Sequence, residues 1–270
     1  MGFSVLMSIY KKEKPNYFER AIGSVLNQTM PPDEIVIIED GPLTEKLYEI
    51  IDRYQKEYPI IKTYKFENNV QLGKALAKGV ELCNNELIAR MDTDDIAVSN
   101  RFEKQYNYML SHMDVSACGG WMEEFNDNDG NYHRIKKMPS GYEEIKKYAR
   151  YRNPLNHMTV MFRKTDVLNS GNYMHYPFLE DYYLWTRMLY NGYKLDNIQS
   201  VLVKARTNDG LYERRGGLKY CKKYLKLRKI QRKLQLLNPV EYMMSIILTL
   251  IITLQPSNIR KAVYQRLLRR

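Results

Sequence analysis

The sequence predicts an α/β fold: a doubly wound, mostly parallel central sheet, Rossmann-like, with basic amphipathic helices at its C-terminal end. Three observations predict it. Strand-length apolar runs alternate with helical periodicity four times in roughly the first ninety residues, the pattern of consecutive βαβ units. One of these runs, "EIVIIED", is short and apolar throughout its centre, typical of a strand covered on both faces. The charge is also divided. Of 42 Lys+Arg and 31 Asp+Glu, 17 and 3 respectively lie from Lys204 onward, so a slightly acidic body precedes a strongly basic tail.

Each element follows in order. "FSVLMSIY" (3–10) reads as a buried strand. "YFERAIGSVLNQ" puts Phe18, Ala21, Ile22, Val25 and Leu26 on one helical face, and Met30-Pro31-Pro32 stops the helix. "EIVIIED" is a second strand. "TEKLYEIIDRYQKEY" is a helix with Leu47, Ile50, Ile51 and Tyr54 in register. "PIIKTYKF", "GKALAKGVELC" and "ELIARM" continue as strand, helix, strand. Beyond Arg101 the pattern loosens. "RFEKQYNYMLSHM" is a helix, "VSACGGWMEEF" one or two strands and "NDNDGN" a turn; "YEEIKKYARYRNP" is helical until Pro154. "DYYLWTRMLYNGY" is a helix ended by Gly192, "KLDNIQSVLVKA" a strand, and the chain from Leu218 is helical.

With 270 residues, 44% of them hydrophobic, the chain can bury the core of one large domain and carry an appendage. Cys83, Cys118 and Cys221 lie far apart with no CxxC pair, which predicts reduced buried thiols. The N-terminus shows no secretory pattern. Neither a G-x-G-x-x-G nor a Walker-type glycine loop occurs, which disfavours dinucleotide binding and a phosphate cradle of those kinds.

Ligands of such sheets sit beyond the carboxyl ends of the strands. Those ends carry Tyr10, Glu39-Asp40-Gly41, Asn68-Asn69 and Asp92-Thr93-Asp94-Asp95. Carboxylates crowded at the end of a buried strand repel one another unless a cation or ligand relieves them. The D-x-D spacing of Asp92 and Asp94 suits a hard divalent cation, Mn²⁺ or Mg²⁺, which also takes diphosphate oxygens and so neutralises a leaving nucleotide diphosphate. An Asp-rich turn before a helix beginning near Ser99 is the plainer reading. Lys74, next to Gly73 at a helix start, reads as a phosphate contact or as a surface lysine. His157 reads as a hydrogen-bonded structural histidine before an acceptor or metal contact, and no histidine pair has zinc spacing. Trp185, one turn from Asp181, reads as core or as a wall of an acceptor cleft.

Seven stretches, "SVLMSIY", "YFERAIGSVLNQT", "EIVIIEDGP", "NNVQLGKALAKGV", "IARMDTDDI", "NPLNHMTVMFRK" and "FLEDYYLWTRML", resemble inverting family 2 glycosyltransferases of the GT-A fold, in that family's order, over roughly residues 3–204. "RRGG" (214–217) further resembles the bacterial capsule and exopolysaccharide branch, including amylovoran-type transferases. The resemblance implies that Asp40 hydrogen-bonds the nucleotide base, that Tyr10 lies against it, that Asp92 contacts the ribose or assists the metal, and that Asp94 is the principal metal ligand. It makes Asp181 the catalytic base, ahead of Glu180. The chain has Ser8-Ile9-Tyr10-Lys11 where the family often has Pro-Val-Tyr-Asn, and "EDGP" where it often has "DDGS". The expected division is a catalytic domain at 1–206, with a nucleotide-sugar half at about 1–100 and an acceptor half at about 101–206, and a helical tail at 207–270.

In the tail, "MMSIILTLIITL" is apolar except for Ser245, Thr249 and Thr253, a narrow polar stripe. Its twelve residues give about 18 Å of helix, short of a roughly 30 Å bilayer core. "NIRKAVYQRLLRR" sets Ile259, Val263, Tyr264, Leu267 and Leu268 against Arg260, Lys261, Arg266, Arg269 and Arg270, a basic amphipathic helix. The expected partners are a nucleotide-sugar donor, most simply UDP-linked, a polyprenyl-diphosphate-linked glycan acceptor and an anionic membrane surface. The expected place is the cytoplasmic side, peripheral on the inner face of the cell membrane. Arg214 and Arg215 read as a phosphate-contacting flap or as a surface loop. Nucleic acid is not an expected partner, because the lipid-linked acceptor explains the same basic charge with fewer assumptions. A nucleotidyltransferase would bring a basic glycine-rich loop near the first strand, and "MSIYKKEKP" has lysines but no glycine. A non-catalytic nucleotide-sugar or nucleic-acid binder would not need Asp181.

Overall fold

The structure, a computed structural model, describes residues 2–127, 129–207, 216–256 and 259–260. The first half runs β1 (Phe3–Ile9), α1 (Pro15–Leu26), β2 (Glu34–Glu39), α2 (Glu45–Glu57), β3 (Ile61–Lys65), α3 (Leu72–Leu82) and β4 (Leu87–Met91). Its strands lie in the order β3-β2-β1-β4, all parallel. The second half runs β5 (Ile96–Ala97), α4 (Arg101–Ser111), β6 (Val115–Asn126), β7 (Asp129–Lys136), α5 (Tyr142–Ala149), a 3₁₀ turn (His157–Thr159), β8 (Met161–Arg163), α6 (Lys164–Asn169), α7 (Glu180–Tyr190) and β9 (Lys194–Arg206). These strands extend the same sheet as β4-β8-β6-β9-β5, with β7 pairing β6 as a hairpin. β8 is antiparallel to both of its neighbours, whereas β6 and β9 are parallel.

Strand alternation sorts the core into two layers. Phe3, Val5, Met7 and Ile9 of β1 and Ile35 and Ile37 of β2 pack with Phe18, Ala21, Ile22 and Val25 of α1. Leu6, Val36 and Ile38 face the other way, onto Ala75, Leu76 and Val80 of α3 and the α7 side chains Leu184, Trp185 and Met188. Trp185 is fully buried there, so it is core and not a cleft wall. All three cysteines are buried and free.

Two helices follow, α8 (Gly217–Lys233) and α9 (Pro239–Leu254). α8 inserts Leu227 among Tyr176, Leu179 and Tyr182. α9 starts with a capping box, in which Asn238 and Glu241 satisfy each other's backbone N–H. Its orientation inverts the usual one. Ser245, Thr249 and Thr253, the polar stripe, are its buried residues. Val240, Met243, Met244, Ile247, Leu248, Leu250, Ile251 and Leu254 are exposed. The stripe supplies its own partners: Ser245 donates to the Tyr242 carbonyl at 2.7 Å and Thr253 to the Thr249 carbonyl at 2.7 Å. Arg260, expected on an exposed basic face, is instead 5% exposed and donates to the carbonyls of Thr253 and Gln255. The rest of the basic segment, 261–270, and the Arg214-Arg215 pair lie outside the described residues. Among the described residues no helix is long and apolar enough to cross a membrane.

Candidate active site

The parallel register sets Ile9 level with Glu39 and Met7 level with Met91, so Tyr10, Asp40 and Asp92 leave neighbouring strands at one edge of the sheet. Tyr10 is 39% exposed. Asp40 is 5% exposed and is gripped by the loop after β3. Its Oδ1 accepts from the Val70 N–H at 2.6 Å and its Oδ2 from Asn69 Nδ2 at 2.9 Å. Burial raises its pKa against these bonds. Gly41 makes the grip possible: its φ is +85°, and a Cβ there would stand 2.7 Å from the Asn69 nitrogen. A carboxylate has about four acceptor sites, so Asp40 retains capacity for a further donor. Lys74 is exposed on the first turn of α3.

Asp92, Asp94 and Asp95 converge, with ligand oxygens within 4.8 Å of one another. Asp92 is held by Arg90 in a two-pronged ion pair, Nη1 to Oδ2 at 2.6 Å and Nη2 to Oδ1. Asp95 is buried and accepts from the Arg206 backbone N–H at 2.8 Å. The Asp94 carboxyl is met by a backbone hydrogen bond at Asp94 itself. Burial, then Asp92 and Glu13, push its pKa up to about 7. Glu13 comes from the loop after β1, where Thr93 Oγ1 donates to it at 2.6 Å. Asp92, Asp94 and Asp95 with Glu13 outnumber the two nearby guanidinium groups, Arg90 and Arg206, so this set of hard oxygens is short of positive charge and fits a divalent cation with Asp94 as a ligand.

Asp181 lies in the first turn of α7, within reach of the Arg90 charge. Asn153 Nδ2 donates to its Oδ2 at 2.5 Å and the Tyr182 N–H to its Oδ1 at 2.7 Å. Burial raises its pKa, while Asn153 and Arg90 oppose the rise. Asp181 lines a cavity of about 280 Å³ between α7, the chain after α5, and helices α8 and α9. Glu180 does not line it. That carboxyl is 8% exposed, its Oε2 has no partner, and burial followed by Asp181 pushes its pKa to about 7. Its Cβ instead packs toward Gly73 at the start of α3. His157 bonds the Tyr173 hydroxyl at 2.9 Å through Nε2, and burial holds its pKa well below the usual range, which makes it a neutral structural histidine.

The structure thus brings Tyr10, Asp40, Asp92 and Asp94 to one edge and sets Asp181 in a cavity whose lining includes none of them, with the Arg90 charge reaching both Asp94 and Asp181. Sequence reasoning passed over Arg90, Glu13, Arg206 and Asn153. Arg90 had a signal: it is a charged residue inside the apolar β4 run, 2% exposed, and burial of such a charge needs a partner. Its charge bears on Asp94, Asp95, Glu180 and Asp181 alike.

The comparisons agree with this architecture. The amylovoran biosynthesis glycosyltransferase AmsE of Erwinia amylovora is 36% identical over 264 residues, covering 98% of both chains. An Escherichia coli protein named UDP-Gal:alpha-D-GlcNAc-diphosphoundecaprenol beta-1,3-galactosyltransferase is 38% identical over 268 residues, covering 99% of this chain and 97% of that one. The crystal structure of S. aureus TarS 1-349 in complex with UDP-GlcNAc shares the fold at a TM-score of 0.68 and 15% identity, covering 93% of this chain and 72% of that one. So does the Pyrobaculum calidifontis mannosyltransferase with GDP-Man and Mn²⁺, at a TM-score of 0.65 and 12% identity, covering 98% of this chain and 75% of that one. The glycosyl transferase family 2 model matches residues 4–170, and the chain belongs to that family, an enzyme of GT-A fold.

Proposed function

We propose that the protein is a metal-dependent inverting glycosyltransferase that moves a sugar from a UDP donor onto a growing lipid-linked glycan. The observation that carries this reading is the convergence of three carboxylates at the sheet edge, with the charge of buried Arg90 bearing on both Asp94 and Asp181. Asp94, with Asp92, would hold Mn²⁺ or Mg²⁺, which supplies neutralisation of the leaving diphosphate. Asp40 receives the base N–H and Tyr10 lies along the base. Lys74 reaches a phosphate. Asp181 removes the proton from the acceptor hydroxyl as that oxygen bonds to the anomeric carbon. The bond from carbon to the diphosphate oxygen breaks on the opposite face, so the configuration inverts and the nucleoside diphosphate leaves. Asn153 orients Asp181 for that transfer. Residues 1–206 form the catalytic domain and 207–270 the tail, through which the protein sits peripherally on the cytoplasmic face of a membrane.

The relatives' printed substrates support the donor and acceptor classes, and the Mn²⁺ complex of the mannosyltransferase supports the metal. The outward apolar face of α9 supports the membrane. The test is hydrolysis of a panel of nucleotide sugars with Mn²⁺, Mg²⁺ or EDTA, read as released nucleoside diphosphate. We expect turnover of one UDP-sugar that EDTA abolishes. Turnover undiminished in EDTA would remove the metal, and turnover confined to a GDP- or dTDP-sugar would remove UDP.

A further inference from the structure

Two features of the Asp181 cavity have no role in donor chemistry. The first is Arg228 of α8, which lines the cavity and is 2% exposed. Its Nη1 donates to the Arg150 carbonyl at 2.9 Å, the Tyr182 hydroxyl at 2.8 Å and Gln231 Oε1 at 2.7 Å, and its Nη2 donates to the Tyr151 carbonyl at 2.5 Å. Its Nε has no partner. None of these bonds reaches a carboxylate. A buried guanidinium bonded only to neutral acceptors keeps an uncompensated charge, which an anionic ligand would neutralise. Arg152, seated over the Tyr148 ring at 5.0 Å, lines the same cavity.

The second feature is the apolar lip. Leu248 and Ile252 of α9 line the cavity one turn apart, and Leu248 is 39% exposed. Rotation of about 100° per residue puts them beside the buried Ser245-Thr249-Thr253 stripe, whereas Ile247 and Ile251 lie opposite it. A continuous apolar track therefore runs from the cavity over Leu248 onto the outer face of α9.

We propose that this cavity is a prenyl-diphosphate site. Arg228 and Arg152 hold the acceptor's diphosphate, Leu248 and Ile252 hold its first isoprene units, and α9 delivers the chain from the membrane with the sugar hydroxyl directed to Asp181. One helix then serves as both membrane contact and substrate wall. The inference rests on the lipid-linked acceptor reading and adds to it where the lipid enters and which side chains recognise it.

The experiment uses the full chain and a sugar-independent probe, farnesyl diphosphate. Calorimetry is run in EDTA, which keeps diphosphate off the acidic edge, with inorganic diphosphate and farnesol as the two half-probes. Farnesyl diphosphate should bind at least tenfold more tightly than either half-probe. The pair Leu248→Ser, Ile252→Ser should cut that affinity about tenfold and leave inorganic diphosphate unchanged. Arg152→Gln should weaken both diphosphates about tenfold. Arg228→Met should do so more strongly where its thermal melt shows it folded; Arg152→Gln carries the test if it does not fold. The pair Ile247→Ser, Ile251→Ser should leave farnesyl diphosphate affinity as it was while lowering flotation on vesicles of anionic lipid. Farnesol binding as tightly as farnesyl diphosphate, or the outer pair weakening it as much as the lip pair, overturns the proposal. Donor hydrolysis is measured on the same samples. Hydrolysis with no farnesyl diphosphate binding sinks this inference alone, whereas binding with no hydrolysis of any nucleotide sugar sinks the donor reading.

Discussion

Replacing Arg90 by methionine tests whether one buried cation holds both acidic groups together. The side chain is 2% exposed and its two nitrogens grip both oxygens of Asp92. Each hydrogen bond between charged groups contributes about 1.5–3 kcal/mol, and removing one partner of a buried ion pair costs about 3–5 kcal/mol. Asp92 is 30% exposed and regains some water, which favours the lower end, about 3 kcal/mol. The loss must also depend on pH. Arg90 lowers the pKa values of Asp94, Asp95, Glu180 and Asp181, all of which burial already holds above their ordinary values. Without Arg90 they rise further. A carboxyl whose folded pKa lies above its unfolded one subtracts stability above the folded pKa and stops doing so as pH falls to the unfolded value. The variant's deficit should therefore be greater at pH 8 than at pH 5. Urea unfolding followed by circular dichroism at both pH values measures it. A deficit below about 1 kcal/mol, or one equal at the two pH values, would refute the reasoning.

Three further outcomes are expected. Asp94→Ala should keep the fold and lose metal-dependent UDP binding, so calorimetry with and without Mn²⁺ should give the same weak affinity; a retained Mn²⁺ effect assigns the metal elsewhere. Asp181→Asn should bind donor normally and lose about 10²–10⁴-fold in transfer, the range of a general base; transfer within tenfold of the parent enzyme makes another group the base. Glu180→Gln should raise stability by about 3 kcal/mol at pH 8, because it removes a buried charge whose pKa has moved from 4.5 to about 7, and the gain should vanish below pH 4.5, where the parent carboxyl is protonated in both states. Melting temperatures across that range check the sign.

The first half was legible because β1, β2 and β4 are largely apolar, buried runs and each helix has a clear buried face, down to the residues facing in: Phe18, Ala21, Ile22 and Val25 of α1 are all buried. The second half was less so. β8 has three residues and β5 two, too short for any period to register, and α6 has six. The hairpin strand β7 lay within what read as a turn and its flank. The D-x-D edge and Asp181 could be named because spacing and resemblance point at them. Arg206 and Asn153 could not, because each matters through a partner distant in the chain, whereas Arg90, with its partner two residues on, was marked only by its charge inside an apolar run. α9 was legible as a helix with a polar stripe but not in its orientation. Periodicity gives the angle between two faces, and only packing decides which one turns inward.

The antiparallel insertion of β8 has a mechanical consequence. Because β8 bonds to β4 on one side and β6 on the other, a single hydrogen-bonded sheet runs from β3 to β5. The part of the molecule that presents Asp92 and the part that presents Asp181 are therefore welded rather than jointed, and no hinge can swing one against the other without breaking a ladder. Adaptation to a new sugar or a new acceptor must then arise in the segments that overhang the sheet, namely the loops after β1 and β3, the stretch after α5 and the helices beyond β9. The fold behaves as a fixed bench with exchangeable fittings, and grafts of those overhanging segments between relatives should succeed where exchange of whole halves, cut through β4 and β8, should not.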